Sequence, residues 1–297
     1  MITLSKILHE ISKLNDFESI ENFKLTNLEF GVEPKKYTDP DISLNSLIWL
    51  KNENLDKIKD ISKSNIIVHY DFDVKNLKND FTGSVIKTKN PRRLFNHIVK
   101  TFFIKDKFFK YSNHPQNIKI GLGSIIEDGV IIGSGTTIGY NNVIKYGTII
   151  GSNVIIGSNN TIGEVGFGYQ KDENGEYLQI EHIGGVIIED FVEIGNNTCI
   201  DKAVLGNTII KKNSKIDNLV HIAHGVEIGE NTLIIANSMI AGSTCIGKNT
   251  WIAPSTSVIN NIKIGSNSMS GMGSVITKNV DDNSLVVGIP AKKIKEI

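Results

Sequence analysis

The sequence predicts a parallel β-helix built from hexapeptide repeats, preceded by a small α/β domain. Three observations predict it. An aliphatic residue, nearly always isoleucine, recurs at every sixth position through most of residues 118–297. Glycine and isoleucine are concentrated in that same stretch. Residues 1–103 show no hexads and carry helical and strand-like patterns instead.

The hexads begin at Ile120 and continue through Ile126, Ile132, Ile138, Ile144, Ile150 and Ile156 to Ile162. After an interruption the step returns at Ile188, Ile194 and Ile200. It slips once, then runs from Ile210 by sixes through Ile252 to Val258 and Ile264. Ser270 breaks the pattern and Ile276 resumes it. Neither a helix of 3.6 residues per turn nor a strand of period two gives a six-residue step. A coiled parallel β-helix does. Each hexad is one short strand with its aliphatic side chain inward, followed by a turn of Gly, Asn or Ser, as in IGSN, IGEN and IGKN. Stacked coils bury a column of isoleucine, so each coil depends on its neighbours.

The interruption at 163–185 reads GEVGFGYQKDENGEYLQIEHIGG, which is polar, glycine-rich and off-period. It is expected to be a loop thrown out from the β-helix, and long loops on compact scaffolds tend to be functional. In the N-terminal part, Leu4, Ile7, Leu8, Ile11 and Leu14 have helical spacing, with Thr3 placed as N-cap. Strand-like runs follow at Leu47–Leu50, Ile66–Val68 and Val85–Lys87. A second amphipathic helix is expected from Pro91 to Phe103, since proline suits a first turn. The expected organisation is a small α/β domain at 1–103, a connector at 104–117 and the β-helix at 118–297, with the excursion at 163–185.

Composition removes several function classes. The 297 residues carry 32 basic and 32 acidic side chains, so no broad positive surface for a nucleic acid or an anionic membrane is expected. Any nucleotide bound is then a small one in a local pocket. Two cysteines offer no disulfide framework. The opening MITLSK lacks a charged-then-apolar leader, and no run approaches the roughly 20 apolar residues of a membrane span. A cytoplasmic protein without a transmembrane segment is the expectation.

Among seven histidines, the pair in NLVHIAHGVEIG stands out. Ile222 takes the inward place, so His224, two residues on, lies outside the coil, facing a cleft or a neighbouring subunit. Imidazole accepts a proton near neutral pH, which suits a general base. A surface or interface histidine is the other reading of the same position. His221 and His224 are three residues apart and His182 falls in the excursion, a spacing that does not fit a three-histidine zinc site, so no metal is expected. Cys199 and Cys245 each precede an inward isoleucine and are expected to be small packing residues. Arg92 and Arg93, the only arginines, open the second helix, where a guanidinium suits phosphate or is plain surface charge. The GFGY segment, Gly166 to Tyr169, brings backbone and an aromatic ring within reach of a ligand.

Taken together these pieces resemble the UDP-3-O-acylglucosamine N-acyltransferases of lipid A assembly. The resemblance is carried by the α/β domain, the β-helix, the GFGY excursion, TCID at 198–201, KIDNLVHIAH at 215–224 and AGSTCIG at 241–247. SLIWLKNENL at 46–55 resembles that family's uridine-binding segment, and NPRRLFNHIVKTFF at 90–103 its closing helix. The likeness covers nearly the whole chain.

It implies a left-handed parallel β-helix, assembled as a homotrimer with active sites between adjacent subunits. It implies His224 as general base and the Gly242 backbone N–H as oxyanion donor. Trp49 would stack on uracil and Asn52 would recognise the base. Phe167, Tyr169, Asp201 and Asn218 are the further substrate-binding candidates. No permanently bound cofactor is implied; acyl-CoA or acyl carrier protein serves as co-substrate. Three departures bear on the substrate. The family's second stacking aromatic falls on Leu55, and its extra histidine is missing from VINNIKIG at 258–265. The segment VITKNVDDNSLVVGIPAKKI resembles the acetyltransferases of nucleotide-linked amino sugars. The expected function is therefore N-acyl transfer of a short or 3-hydroxyacyl group from acyl-CoA to a UDP- or dTDP-linked amino sugar for surface polysaccharide. The alternative is the lipid A enzyme itself, taking a 3-hydroxyacyl group from acyl carrier protein. A trimeric scaffold without catalysis is a third reading, which gives His224 no purpose.

Overall fold

The computed structural model describes residues 2–13, 21–23, 32–35, 46–50, 64–77, 81, 83–103 and 117–296. The chain divides into two compact units, Met1–Lys105 and Asp106–Ile297. The expected connector lies almost wholly outside the described residues.

In the first unit, helix α1 (Leu4–Ile11) starts where Thr3 Oγ1 accepts the Lys6 N–H. Helix α2 (Pro91–Phe102) starts where Asn90 Oδ1 accepts the Arg93 N–H at 3.0 Å, with Pro91 in the first turn. Both caps satisfy donors that a helix start leaves orphaned. Among the described residues five short strands form one sheet: β1 (Glu21–Phe23), β2 (Glu33–Pro34), β3 (Ser46–Trp49), β4 (Asn65–His69) and β5 (Val85–Thr88). Their order is β1-β5-β4-β3-β2, with β1 antiparallel and the rest parallel. The three central strands sit within two residues of their expected places because they are continuous apolar runs, as parallel strands covered on both faces require. Leu47, Ile48, Ile66, Ile67 and Ile86 are buried, as are Leu94, Phe95, Ile98 and Val99 on α2. The two edge strands carry no such signal and were not anticipated; Leu14 lies outside the described residues.

The second unit is a parallel β-solenoid of three sheets, with eight, seven and ten strands among the described residues. Val143 pairs with Ile125 on one side and Thr161 on the other, so partners stand 18 residues apart and three hexads make one coil. The hexad isoleucines from Ile126 to Ile264 are buried in one continuous column with Val258 and Ile276. Ile120, in the first described coil, is instead 37% exposed. Ser270 takes an inward place without penalty, because its Oγ accepts the Ala253 N–H at 2.9 Å and bonds Thr256 Oγ1 at 2.9 Å.

Polar groups inside the turns are satisfied in the same repeating way. Thr232 Oγ1 donates to the Gly247 carbonyl at 2.8 Å and Thr250 Oγ1 to that of Gly265 at 3.0 Å. At one corner Asn231, Asn249 and Asn267 adopt φ of 55–56°, a left-handed conformation that asparagine tolerates better than most residues. Between two of them Asn249 Nδ2 donates to Asn267 Oδ1 at 3.1 Å. Two expectations need correction. Cys199 is exposed and Cys245 half-buried: a residue adjacent to an inward isoleucine on a strand must point outward. The excursion, expected as a loop, carries a hairpin that pairs Tyr169–Lys171 with Tyr177–Gln179. Asp172 Oδ1 closes its turn by accepting the N–H groups of Asn174 at 2.9 Å and Glu176 at 2.8 Å.

Each isoleucine touches the coils above and below, so truncating one weakens the stack locally. Ile234→Ala, at a fully buried position, is expected to cost about 2–5 kcal/mol in denaturant unfolding. An unchanged midpoint would show that neighbouring coils do not share this core. Among the described residues no helix is long and apolar enough to cross a membrane.

Candidate functional site

The irregularities of the solenoid gather at one corner. Register passes from Thr161 to Cys199 and from Cys199 to His221, so the 163–185 excursion and then a shorter insertion both leave after the same sheet. The turns 223–226 and 241–244 lie at that corner in successive coils, with the Ser243 N–H donating to the His224 carbonyl at 2.9 Å.

His224 is wedged between two glycines. A Cβ on Gly242 would lie 2.6 Å from His224 Cε1 and 2.7 Å from Nε2. A Cβ on Gly166, in the excursion, would lie 3.0 Å from His224 Cβ and 3.1 Å from Cδ2. Only bare backbone fits on either side of the ring. At several other turns the residue equivalent to Gly242 has its N–H taken by a side chain: Asp190 accepts from Ser152, Asn196 from Ser158 and Asp282 from Ser266, each at 2.7 Å. The Gly242 N–H donates no hydrogen bond within the described residues. It therefore stands beside the imidazole as an uncommitted donor.

A second imidazole completes the corner. His182, 2% exposed, lies with its ring 5.4 Å from that of His224 and nearly perpendicular, at 80°. Its Nδ1 is 2.7 Å from the Ile180 carbonyl, and a carbonyl can only accept, so Nδ1 carries the proton. Burial drives its pKa down to about 4; the bond to Ile180 opposes this, while His224 and Lys202 add to it. His182 is thus neutral at ordinary pH. Sequence reasoning weighed it only as a metal ligand. Its place beside His224 depends on the excursion folding back onto the coil, which no local pattern reveals.

The other candidates divide. Phe167 and Tyr169 flank the packed glycines, with rings 4.9 Å apart and Phe167 88% exposed. Asp201 lies at the base of the corner, paired in register with Glu164, and its carboxyl is 3.6 Å from His221 Nε2. Burial raises its pKa to about 6, with His221 opposing and Glu164 reinforcing the shift. Asn218 sits at a different corner, where its Oδ1 accepts the Asn196 N–H at 2.7 Å and caps that turn. In the first unit, Trp49 ends β3 with the Arg92 guanidinium 5.7 Å from the centre of its ring. One face of the indole thus already holds a cation. Asn52 and Leu55 lie outside the described residues. Among those residues no group of three or more His, Cys, Asp or Glu side chains is placed to hold a metal ion.

Comparison with known proteins follows the same outline. Residues 207–242, which include both His224 and Gly242, match the family model described as bacterial transferase hexapeptide (six repeats). A UDP-3-O-acylglucosamine N-acyltransferase of Christiangramia forsetii is 58% identical over 83 residues, 28% of this chain and 24% of that protein. One from Desulfotalea psychrophila is 53% identical over 135 residues, 46% of this chain and 39% of that protein. The match thus spans between about a quarter and two-fifths of these relatives' length. Among solved structures, UDP-N-acetylglucosamine acyltransferase from Campylobacter jejuni superposes with a TM-score of 0.53 at 21% identity, over 61% of this chain and 71% of that one. LpxA from Acinetobacter baumannii gives 0.52 at 25% identity, over 61% and 69%. The resemblance drawn from the sequence is borne out over these stretches, and the solenoid is shared with both structures.

Proposed function

We propose that this chain is an N-acyltransferase that moves an acyl group from a thioester to the amino group of a UDP-linked sugar. The observation that carries the reading is His224 held between Gly166 and Gly242, with the free Gly242 N–H beside its ring. An amine attacking a thioester must lose a proton as the carbon–nitrogen bond forms, and a neutral imidazole can take it. The tetrahedral intermediate carries an oxyanion, which a preorganised backbone N–H stabilises; such a donor contributes roughly 3–4 kcal/mol. The thiol leaves with the proton, and the products are an amide and a free thiol.

The UDP-linked acceptor is supported by the names of the relatives over the matched stretches. Trp49 and Asn52 take the nucleotide base in this reading, and Phe167, Tyr169 and Asp201 border the sugar. A homotrimer with sites between subunits belongs to the same proposal. Two donors are in play. The likeness of residues 275–294 to acetyltransferases of nucleotide-linked amino sugars favours acyl-CoA. The 58% identity to UDP-3-O-acylglucosamine N-acyltransferase favours a 3-hydroxyacyl carrier protein.

Thiol release from acyl-CoAs of graded length, with UDP- and dTDP-linked amino sugars offered in parallel, separates them. Turnover with a short acyl-CoA establishes the first donor. Silence with every CoA, but turnover with hydroxyacyl carrier protein and UDP-3-O-acylglucosamine, establishes the second. Silence with both donors and all acceptors overturns the proposal.

A further inference from the structure

The corner holds a buried hydrogen-bond acceptor that the proposed reaction has not yet used. With Nδ1 donating to Ile180, the lone pair of His182 lies on Nε2, and that atom is buried without any hydrogen-bond partner. A buried acceptor left unpaired is costly, so an orphan beside a reactive group calls for a partner. Only a glycine fits against Nε2. A Cβ at Gly166 would come within 3.1 Å of His182 Nε2 as well as 3.0 Å of His224 Cβ, so one bare backbone position faces both imidazoles.

We propose that His182 Nε2 accepts the second N–H of the acceptor amine, and that this contact makes the site select amines over hydroxyls. The inference rests on the N-acyltransferase reading above. A primary amine brings two N–H bonds. One is broken by proton transfer to His224 as the carbon–nitrogen bond forms and the carbon–sulfur bond breaks. The other is held by His182 and stays intact in the amide. Pinning both hydrogens fixes the direction of the nitrogen lone pair, which is the orientation an attack on a thioester carbon needs. A hydroxyl brings a single hydrogen, so it satisfies His224 and leaves His182 unpaired. Sites built to hydrogen-bond a particular group reject analogues that lack it far more strongly than apolar pockets do. The depressed basicity of His182 fits this division of labour: it accepts a hydrogen bond without competing for the proton.

The test compares acylation of UDP-3-O-acylglucosamine with that of its 2-hydroxy (glucose) counterpart in three proteins. His182→Asn keeps a donor for Ile180 but removes the distal acceptor. His182→Gln places an amide oxygen near the position of Nε2. The asparagine variant is expected to lose about 100-fold in kcat/KM on the amine, with the slow rate on the hydroxyl acceptor unchanged. The glutamine variant is expected to recover to within about tenfold of wild type. Equal losses on both acceptors, or no loss on either, overturn the proposal. A second readout needs neither variant nor turnover. The ¹⁵N resonance of His182 Nε2 in the wild-type protein should move upfield with saturating UDP-3-O-acylglucosamine and stay put with the glucose counterpart; an unmoved resonance with both overturns the assignment. A wild-type protein that acylates no acceptor sinks the functional reading instead, and the resonance still decides the role of His182.

Discussion

Gly242→Ala is expected to lower turnover about 100-fold while leaving the melting temperature nearly unchanged. The added methyl would lie 2.6 Å from His224 Cε1 and 2.7 Å from Nε2, closer than real contacts allow, so the imidazole must move aside. Gly242 does not adopt a positive φ, and the backbone itself accommodates alanine. The loss then comes from displacing the base by about an ångström, a shift that costs on the order of 100-fold in a positioned site. Turnover and thermal unfolding measured on one preparation check it. Full activity would show that the ring position against Gly242 is unimportant. A large drop in melting temperature would mark Gly242 as a structural glycine.

His224→Ala should cost 100-fold or more in kcat and leave binding of the nucleotide sugar nearly intact. Proton transfer by a placed side chain contributes roughly 100- to 10,000-fold, and truncation to alanine removes all of it while the coil keeps its hydrogen bonds. The Ile222 column beneath it is untouched, since His224 points away from the core. Turnover by thiol release and affinity by calorimetry separate the two effects. Equal loss of both would make His224 a structural residue. The contrast with Gly242→Ala is itself informative: the alanine at 242 keeps the base but misplaces it, whereas the alanine at 224 removes it.

Much of this was legible in the residues because a β-solenoid writes its geometry into a fixed step. Once Ile222 is inward, His224 must lie at a corner, and Gly242, a full coil later, must stack against it. The same arithmetic, followed one step further, also places Cys199 outward, where a packing role had been expected. Ser270 breaks the hydrophobic pattern but not the coil, since its hydroxyl finds Ala253 and Thr256. Pairs that depend on chain folding back from outside the repeat could not be read this way. The hairpin at 169–179 and the approach of His182 to His224 arise from tertiary contact between the excursion and the corner. Asn218 shows the converse. It lies within the KIDNLVHIAH block, yet it serves another corner, because a short stretch of sequence in this fold passes two corners. The edge strands of the α/β unit were missed for want of a hydrophobic run, and Asn52 falls outside the described residues.

The most direct test of the central claim is the chemical nature of the product. The purified protein is incubated with an acyl thioester and a UDP-linked amino sugar that carries no ester of its own, and the nucleotide sugar is weighed by mass spectrometry before and after hydroxylamine treatment. An acyl transfer to nitrogen at this corner gives a product heavier by one acyl group that survives hydroxylamine, as an amide does. An acylated product that hydroxylamine returns to the starting sugar would be an ester, and it would contradict the account.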